Sequence, residues 1–300
     1  MTQARTVRLN SGIDLVFEDS GPSDAPCLLM ISGLGQQLVD WPDPLMHGLQ
    51  AKGFRTVRFD NRDCGLSSRV SGKQINVRAE VMRQLVGFPV RAPYGLNDMA
   101  DDAAGLLDTL EIDSAHVLGA SMGGMIAQVF AAGRPERTRS LTSIMSSSGA
   151  TRFRFHFTPA VRAVMTPVSK NATESQLLDH LEHVWTLIGS PGLHETGPAL
   201  RARLLASLRR AHDPAATARQ LLAILANGDR RPLLKTLRTP TLVIHGECDP
   251  LVPIAAGRDT AAHVPGARFV GIPGMGHDFP EPLLPRLIDD IAGHCLSVRG

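Results

Sequence analysis

Six short strand patterns punctuate the chain, the first a continuous apolar run, and most stop at a glycine, a serine or an aspartate. They are CLLMISGLG from Cys27, FRTVRFD from Phe54, AHVLGA from Ala115, LTSIMS from Leu141, TLVIHG from Thr241 and RFVGI from Arg268. Unbroken apolar succession, rather than alternation, suits strands covered on both faces, as in a parallel sheet. Helical patterns lie between them. In LNDMADDAAGLLDTLEI the apolar residues Met99, Ala103, Leu106, Leu107 and Leu110 share one helical face, with Asn97 expected as the N-cap. MIAQVFAAG is a second helix, stopped by Gly133 and Pro135, and PLLPRLIDDIAGHCL a closing one. Val7–Leu9 and Ile13–Phe17 alternate around NSG and predict an opening hairpin. Strand and helix in succession predict an α/β fold: a mostly parallel central sheet flanked by helices.

One segment interrupts this rhythm. From about Gly149 to Leu234 there are helical patterns (ESQLLDHLEHVWTLIG, PALRARLLASLRRA, TARQLLAILANG) but no strand pattern. That is too long for a loop. It reads as a helical cap, residues 149–234, inserted into a core made of residues 1–148 and 235–300. A shorter irregular piece, Arg69 to Pro93, is expected beside it.

Composition excludes several roles. Of 300 residues, 43% are apolar, enough for a sizeable core, and 31 basic against 29 acidic residues leave a net charge of +2. Neither nucleic acid nor a membrane surface is an expected partner. The first residues, MTQARTVRLN, hold no apolar signal core, so a cytoplasmic location is expected. Cys27, Cys64, Cys248 and Cys295 form no C-x-x-C pair and read as buried free thiols, and no metal site is expected. Nothing in the sequence specifies an oligomeric state.

The stretch GASMGG, Gly119 to Gly124, lies between a strand and a helix. A serine hydroxyl is a weak nucleophile; it needs a base in hydrogen-bond reach, and the base needs an orienting group. A sharp strand-to-helix turn with small neighbours lifts Ser121 above the sheet and leaves the Met122 N–H at a helix start, free to stabilise an oxyanion. Asp249, in GECDP after the strand TLVIHG, is the expected acid; Glu247 is its rival. His277, after RFVGI and the glycine-rich IPGMG, is the expected base. Of the ten other histidines, His116 and His245 sit in strand patterns and read as core residues, and His156, His180, His183 and His194 read as cap surface. Asp278 is expected to support the loop. The second oxyanion donor is expected from Ser32-Gly33-Leu34-Gly35, at the Leu34 N–H.

The motifs ISGLGQQ, FDNRDCGLSS, YGLNDMADDAAGLLDTL, GASMGGMIAQ, PTLVIHGECDPLVP and IPGMGH resemble the α/β-hydrolase superfamily over essentially the whole chain, where the triad runs in the order serine, acid, histidine. WPD, DNRDCGLS, GASMGG and IPGMGH look most like the aclacinomycin methylesterase-like group and related bacterial carboxylesterases. The resemblance implies a serine esterase that needs no cofactor and cleaves a small to medium hydrophobic ester through an acyl-enzyme. It implies that Asp60 and Arg62 hold their own loop. The same frame hosts perhydrolases, haloperoxidases and C–C hydrolases with this triad, and non-catalytic ligand binders. For substrate contact the candidates are Phe153, Phe155 and Phe157, alternating in RFRFHF, and Trp185; each has cap packing as its rival role.

Overall fold

The computed structural model describes residues 3–71, 75–154, 158–166, 168 and 171–298. Eight strands form one sheet: β1 (Arg5–Arg8), β2 (Asp14–Ser20), β3 (Cys27–Ile31), β4 (Arg55–Phe59), β5 (Ala115–Ala120), β6 (Thr138–Ile144), β7 (Thr241–Gly246) and β8 (Arg268–Ile272). Their order is β1-β2-β4-β3-β5-β6-β7-β8. The pairs β1–β2 and β2–β4 are antiparallel. All pairs from β4 to β8 are parallel. Every apolar run noted above is a strand, and the opening alternation is the hairpin β1–β2.

The unbroken apolar runs feed two cores. Leu28, Met30, Leu118, Ile144, Leu242 and Ile244 face α1 (Asp43–Ala51) and α12 (Leu284–Ser297). Leu29, Ile31, Val57, Phe59 and Val117 face α3 (Leu96–Thr109) and α4 (Met122–Gly133), the latter buried from Met122 to Ala131. Successive side chains of a strand point to opposite faces, so β3, buried on both, is apolar throughout, while β4 carries Arg55 and Arg58 paired with Asp19 and Glu18 of β2. The N-cap of α3 is Gly95, not Asn97: the Asp98 carboxylate reaches back to accept the Gly95 N–H at 2.7 Å. α2 (Val77–Leu85), capped by Asn76, lies in the stretch that reads as irregular in sequence, and its Gln84 donates to Leu225 O of the insertion. α11 (Ile254–His263) links β7 to β8.

Between β6 and β7 run α5 (Thr151–Arg154), α6 (Pro159–Met165), α7 (Glu174–Ile188), α8 (Gly197–Arg210), α9 (Pro214–Asn227) and α10 (Arg231–Leu234), with no strand among the described residues. Leu178, Leu200 and Leu204 form a small core between α7 and α8. Charged pairs tie these helices to the loop after β4. Arg210 meets Asp60 at 2.8 Å, and Arg219 grips both oxygens of Asp63 at 2.7 and 2.8 Å. Asp60 also accepts the N–H groups of Leu38 and Leu66. Arg62 departs from the expectation that it bonds within its loop. Its guanidinium reaches α3, pairing with Asp102 at 2.5 and 2.7 Å and donating to Asp98 O. The loop's own carboxylates, Asp60 and Asp63, are engaged by Arg210 and Arg219, and Asp102 on α3 presents both oxygens to the Arg62 fork. Three thiols are buried, but Cys248 is exposed, because its strand has already ended. Among the described residues no helix is long and apolar enough to cross a membrane.

Arg62 is 9% and Asp102 2% exposed at the side chain. Arg62→Leu leaves a buried carboxylate without its partner and is expected to cost about 3–5 kcal/mol. A lower urea midpoint at unchanged slope checks it; a loss under about 1 kcal/mol would show that the pair contributes no more than an exposed one.

Candidate active site

Loops at the carboxyl ends of β3, β4, β5, β7 and β8 converge at one edge of the sheet, where open α/β sheets bind ligands. Ser121 follows β5 and caps α4 with φ +55° and ψ −119°, a conformation that costs a non-glycine residue about 1–3 kcal/mol. Its surroundings over-determine it. The Ser121 N–H donates to Ile144 O at 2.9 Å, and its carbonyl accepts from Gly124 N, Met125 N and Ser146 Oγ. The glycines allow the crossing: a Cβ on Gly119 would overlap Gly123 O, one on Gly123 would overlap Ile31 O, and one on Gly124 would lie 2.6 Å from Ser146 Cβ. As the first residue of α4, Met122 has an N–H without an intrahelical acceptor.

The structure brings the three predicted residues together. His277 Nε2 is 3.0 Å from Ser121 Oγ, and His277 Nδ1 is 2.7 Å from Asp249 Oδ2. Asp249 Oδ1 accepts the N–H groups of Leu251 and Val252 at 2.9 and 2.8 Å, which closes the turn before Pro253. These contacts assign the tautomer: Nδ1–H donates to the carboxylate, leaving Nε2 to accept the serine proton. Glu247, the rival acid, is exposed. Burial alone would push the Asp249 carboxyl up. The charges and hydrogen bonds of His277 and His245 outweigh it and hold the group well below the ordinary carboxylate range.

His245 is a feature the sequence reading missed. It is a core residue, but it also lies against the acid: Nε2 bonds to Val252 O at 2.8 Å and stands 3.4 Å from Asp249 Oδ2. Its buried Nδ1 has no partner among the described residues. The spacing His245–Asp249 across a strand end is the signal that could have shown it. His116 is likewise buried; it bonds to Ser140 Oγ at 2.8 Å, and burial lowers its pKa to about 4.

The His277 loop is stapled to the end of α7. His277 N–H donates to Ile188 O at 2.7 Å, and Gly276 N–H to Ser190 Oγ at 2.7 Å. Ser190 in turn donates its N–H and hydroxyl to Asp278 Oδ1 at 3.0 and 2.5 Å. Asp278 therefore supports the loop, and its burial pushes the carboxyl up despite those bonds. Nothing in the sequence around Ser190 signals this role.

Leu34 is half-buried between two glycines, beside Gly33, where an added Cβ would stand 3.4 Å from Ser121 Cβ. Among the described residues its N–H has no protein acceptor, so it stands free as the Met122 N–H does. Phe153 is half-buried under the Arg152 guanidinium, 4.7 Å from the ring centre. Trp185 packs on the α7–α8 core with Arg203 over its ring. Phe155 and Phe157, like His156, lie outside the described residues. His183 is exposed, and His180 and His194 are half-buried. No group of three or more His, Cys, Asp or Glu side chains is placed to hold a metal among the described residues. An open groove lined by Thr241, Arg268, Asp290 and His294 lies at the opposite, amino ends of the strands.

Residues 26–281 match the family described as alpha/beta hydrolase fold. The chain belongs to that family. Among its relatives, the rhodomycin D methylesterase of Streptomyces peucetius is 30% identical over 296 residues, covering 91% of this chain and 93% of that one. The rhodomycin D methylesterase of Streptomyces sp. strain C5 is 30% identical over 283 residues, covering 87% and 89%. The enol-lactonase of Burkholderia xenovorans LB400 superposes with a TM-score of 0.74 at 23% identity, covering 97% of this chain and all of that one. In this α/β hydrolase the antiparallel edge β1–β2 and the helical insertion after β6 complete the frame around the converging loops.

Two outcomes test the site's energetics. Because the folded Asp249 carboxyl is depressed, the stability it confers is complete above its unfolded value near 3.9 and falls as pH drops below it. Asp249→Asn should therefore flatten the fall in unfolding free energy below about pH 4, as read by urea titrations at several pH values. Ser190→Ala leaves the buried Asp278 oxygen short of a donor and should lower stability by about 1–3 kcal/mol in chemical denaturation. An unchanged midpoint would refute the staple.

Proposed function

We propose that this α/β hydrolase is a serine carboxylesterase that cleaves small to medium hydrophobic esters through an acyl-enzyme. The observation that carries the reading is the hydrogen-bonded series Ser121 Oγ, His277 Nε2, His277 Nδ1, Asp249 Oδ2 on a strained turn where Ser121 is half-buried. Ser121 Oγ attacks the ester carbonyl carbon while its proton passes to His277 Nε2. Asp249 holds the ring orientation and stabilises the imidazolium. The Leu34 and Met122 N–H groups receive the oxyanion. His277 then gives its proton to the leaving alkoxide, which departs as the alcohol. A water loses its proton to His277, attacks the acyl carbon, and frees the acid and Ser121.

The relatives named methylesterases favour an alcohol side as small as methanol, with the acid carrying most of the substrate's apolar bulk. The insertion supplies the apolar wall for that acid. The reaction as written needs no cofactor.

Initial rates on p-nitrophenyl esters from acetate to laurate, and on methyl esters of the same acids, test the reading. Wild-type turnover should fall by roughly 10⁶ in kcat for Ser121→Ala. An organophosphonate should label one serine per chain, and Ser121→Ala should abolish labelling. Turnover equal in the two proteins would sink the esterase reading.

A further inference from the structure

The amide of Gln220, on α9 in the insertion, is fully buried and bridges two loops of the core. Its Oε1 accepts the Gly35 N–H at 2.9 Å, and its Nε2 donates to Arg62 O at 2.8 Å. The first contact joins positions 185 residues apart and the second 158. One turn earlier on the same helix, Thr217 stands where a Cβ on Gly35 would come within 3.2 Å of its Cγ2. Gly35 has φ +67°, so the loop turns back against α9 at this point.

Leu34 precedes Gly35, and its N–H is the donor assigned above to the oxyanion. Two peptide planes flank that group. On one side the Ser32–Gly33 plane is held where the Gly33 N–H meets Gln36 Oε1 at 3.3 Å, and the plane of the Leu34 N–H itself is held at its carbonyl end, where Gly33 O accepts the Gln36 N–H at 3.2 Å. On the other side the Leu34–Gly35 plane is held by Gln220 alone among the side chains that bond to it. A fully buried primary amide with both ends engaged fixes direction as well as distance, because exchanging its oxygen and nitrogen would break both bonds. An oxyanion donor works only if it is aimed before the charge develops.

We propose that Gln220 is a positioning residue of the oxyanion hole: with Gln36 holding the Leu34 N–H plane from within the loop, the insertion fixes the next plane through the Gly35–Gln220–Arg62 bridge, and is part of the catalytic frame as well as a cover. This rests on the esterase reading and adds to it that transition-state stabilisation is set from outside the core.

The test compares Gln220→Met, which keeps the shape and loses both bonds, with Gln220→Glu. A protonated Glu reproduces the amide, accepting the Gly35 N–H with its carbonyl and donating its hydroxyl to Arg62 O. The carboxylate has no proton to donate and faces that carbonyl. Rates on a p-nitrophenyl ester are expressed per phosphonate-titrated Ser121, so that misfolded protein does not count. Gln220→Met should lose about 10- to 100-fold in kcat with KM changed by less than about threefold, less than the cost of deleting a donor. The inhibition constant of a trifluoromethyl ketone, whose adduct places an oxyanion in the hole, should rise in proportion. Gln220→Glu should approach wild type at the acid end of the working range and fall relative to it as pH rises.

An active wild type with Gln220→Met within about twofold of it per titrated site overturns the inference alone. So does a ketone constant that stays put while kcat falls, or a flat Gln220→Glu to wild-type ratio across pH. A wild type without Ser121-dependent turnover overturns the esterase reading and this inference with it.

Discussion

The backbone of Ser121 is the constraint on which the rest of the site depends. A non-glycine residue at φ +55° persists only where the surroundings leave no alternative. Here the alternative is removed by proximity: Gly119, Gly123 and Gly124 let α4 press against Ile31 O, Ser146 and its own entering strand. The turn, once forced, decides three things together. It raises Oγ out of the sheet, starts a helix at the Met122 N–H, and sets the point that His277 must reach.

The other two members of the hydrogen-bonded series are held by quite different means. Asp249 is fixed locally, by two N–H groups of its own turn, with His245 at its flank. His277 is fixed remotely, by the end of α7 through Ile188 and Ser190. The insertion thus reaches the His277 loop with α7, the loop after β3 with α9, and the loop after β4 with Arg210 and Arg219. The acids of these pairs, Asp60 and Asp63, are fully buried at the side chain, so losing Arg210 or Arg219 would leave a buried charge without its partner.

The sheet was legible because its strands are short apolar runs with no rival period, and the site residues because each occupies a turn just past such a run. Local chemistry reads well from local sequence. What did not read was contact across long separations. Nothing near Gln220, Ser190 or Arg62 states what each touches, since their partners lie 185, 88 and 40 residues away. Asn97 misleads for a smaller reason: the N-cap is Gly95, which has no capping side chain, and the helix start is marked by the third helical residue, Asp98, whose carboxylate accepts the Gly95 N–H. His245 reads as core because it is core; its spacing to Asp249 hints at the second contact, which forms when the turn after β7 folds back on it.

The insertion's place in the chain order has a consequence for how the molecule comes together. Residues 33–38 emerge early, yet the side chains that pin them, Arg210 and Gln220, follow some 170 residues later, and His277 comes almost at the end. Contacts of such separation close late, because the loop entropy must be overcome before they form. The sheet from β2 to β6 can assemble while its working edge is still unorganised. In the reverse direction, an opening that releases α7–α9 frees the His277 loop and the loop after β3 in one event and takes Ala223 out of the core beneath α3 and α4, while the strand pairings of the sheet remain.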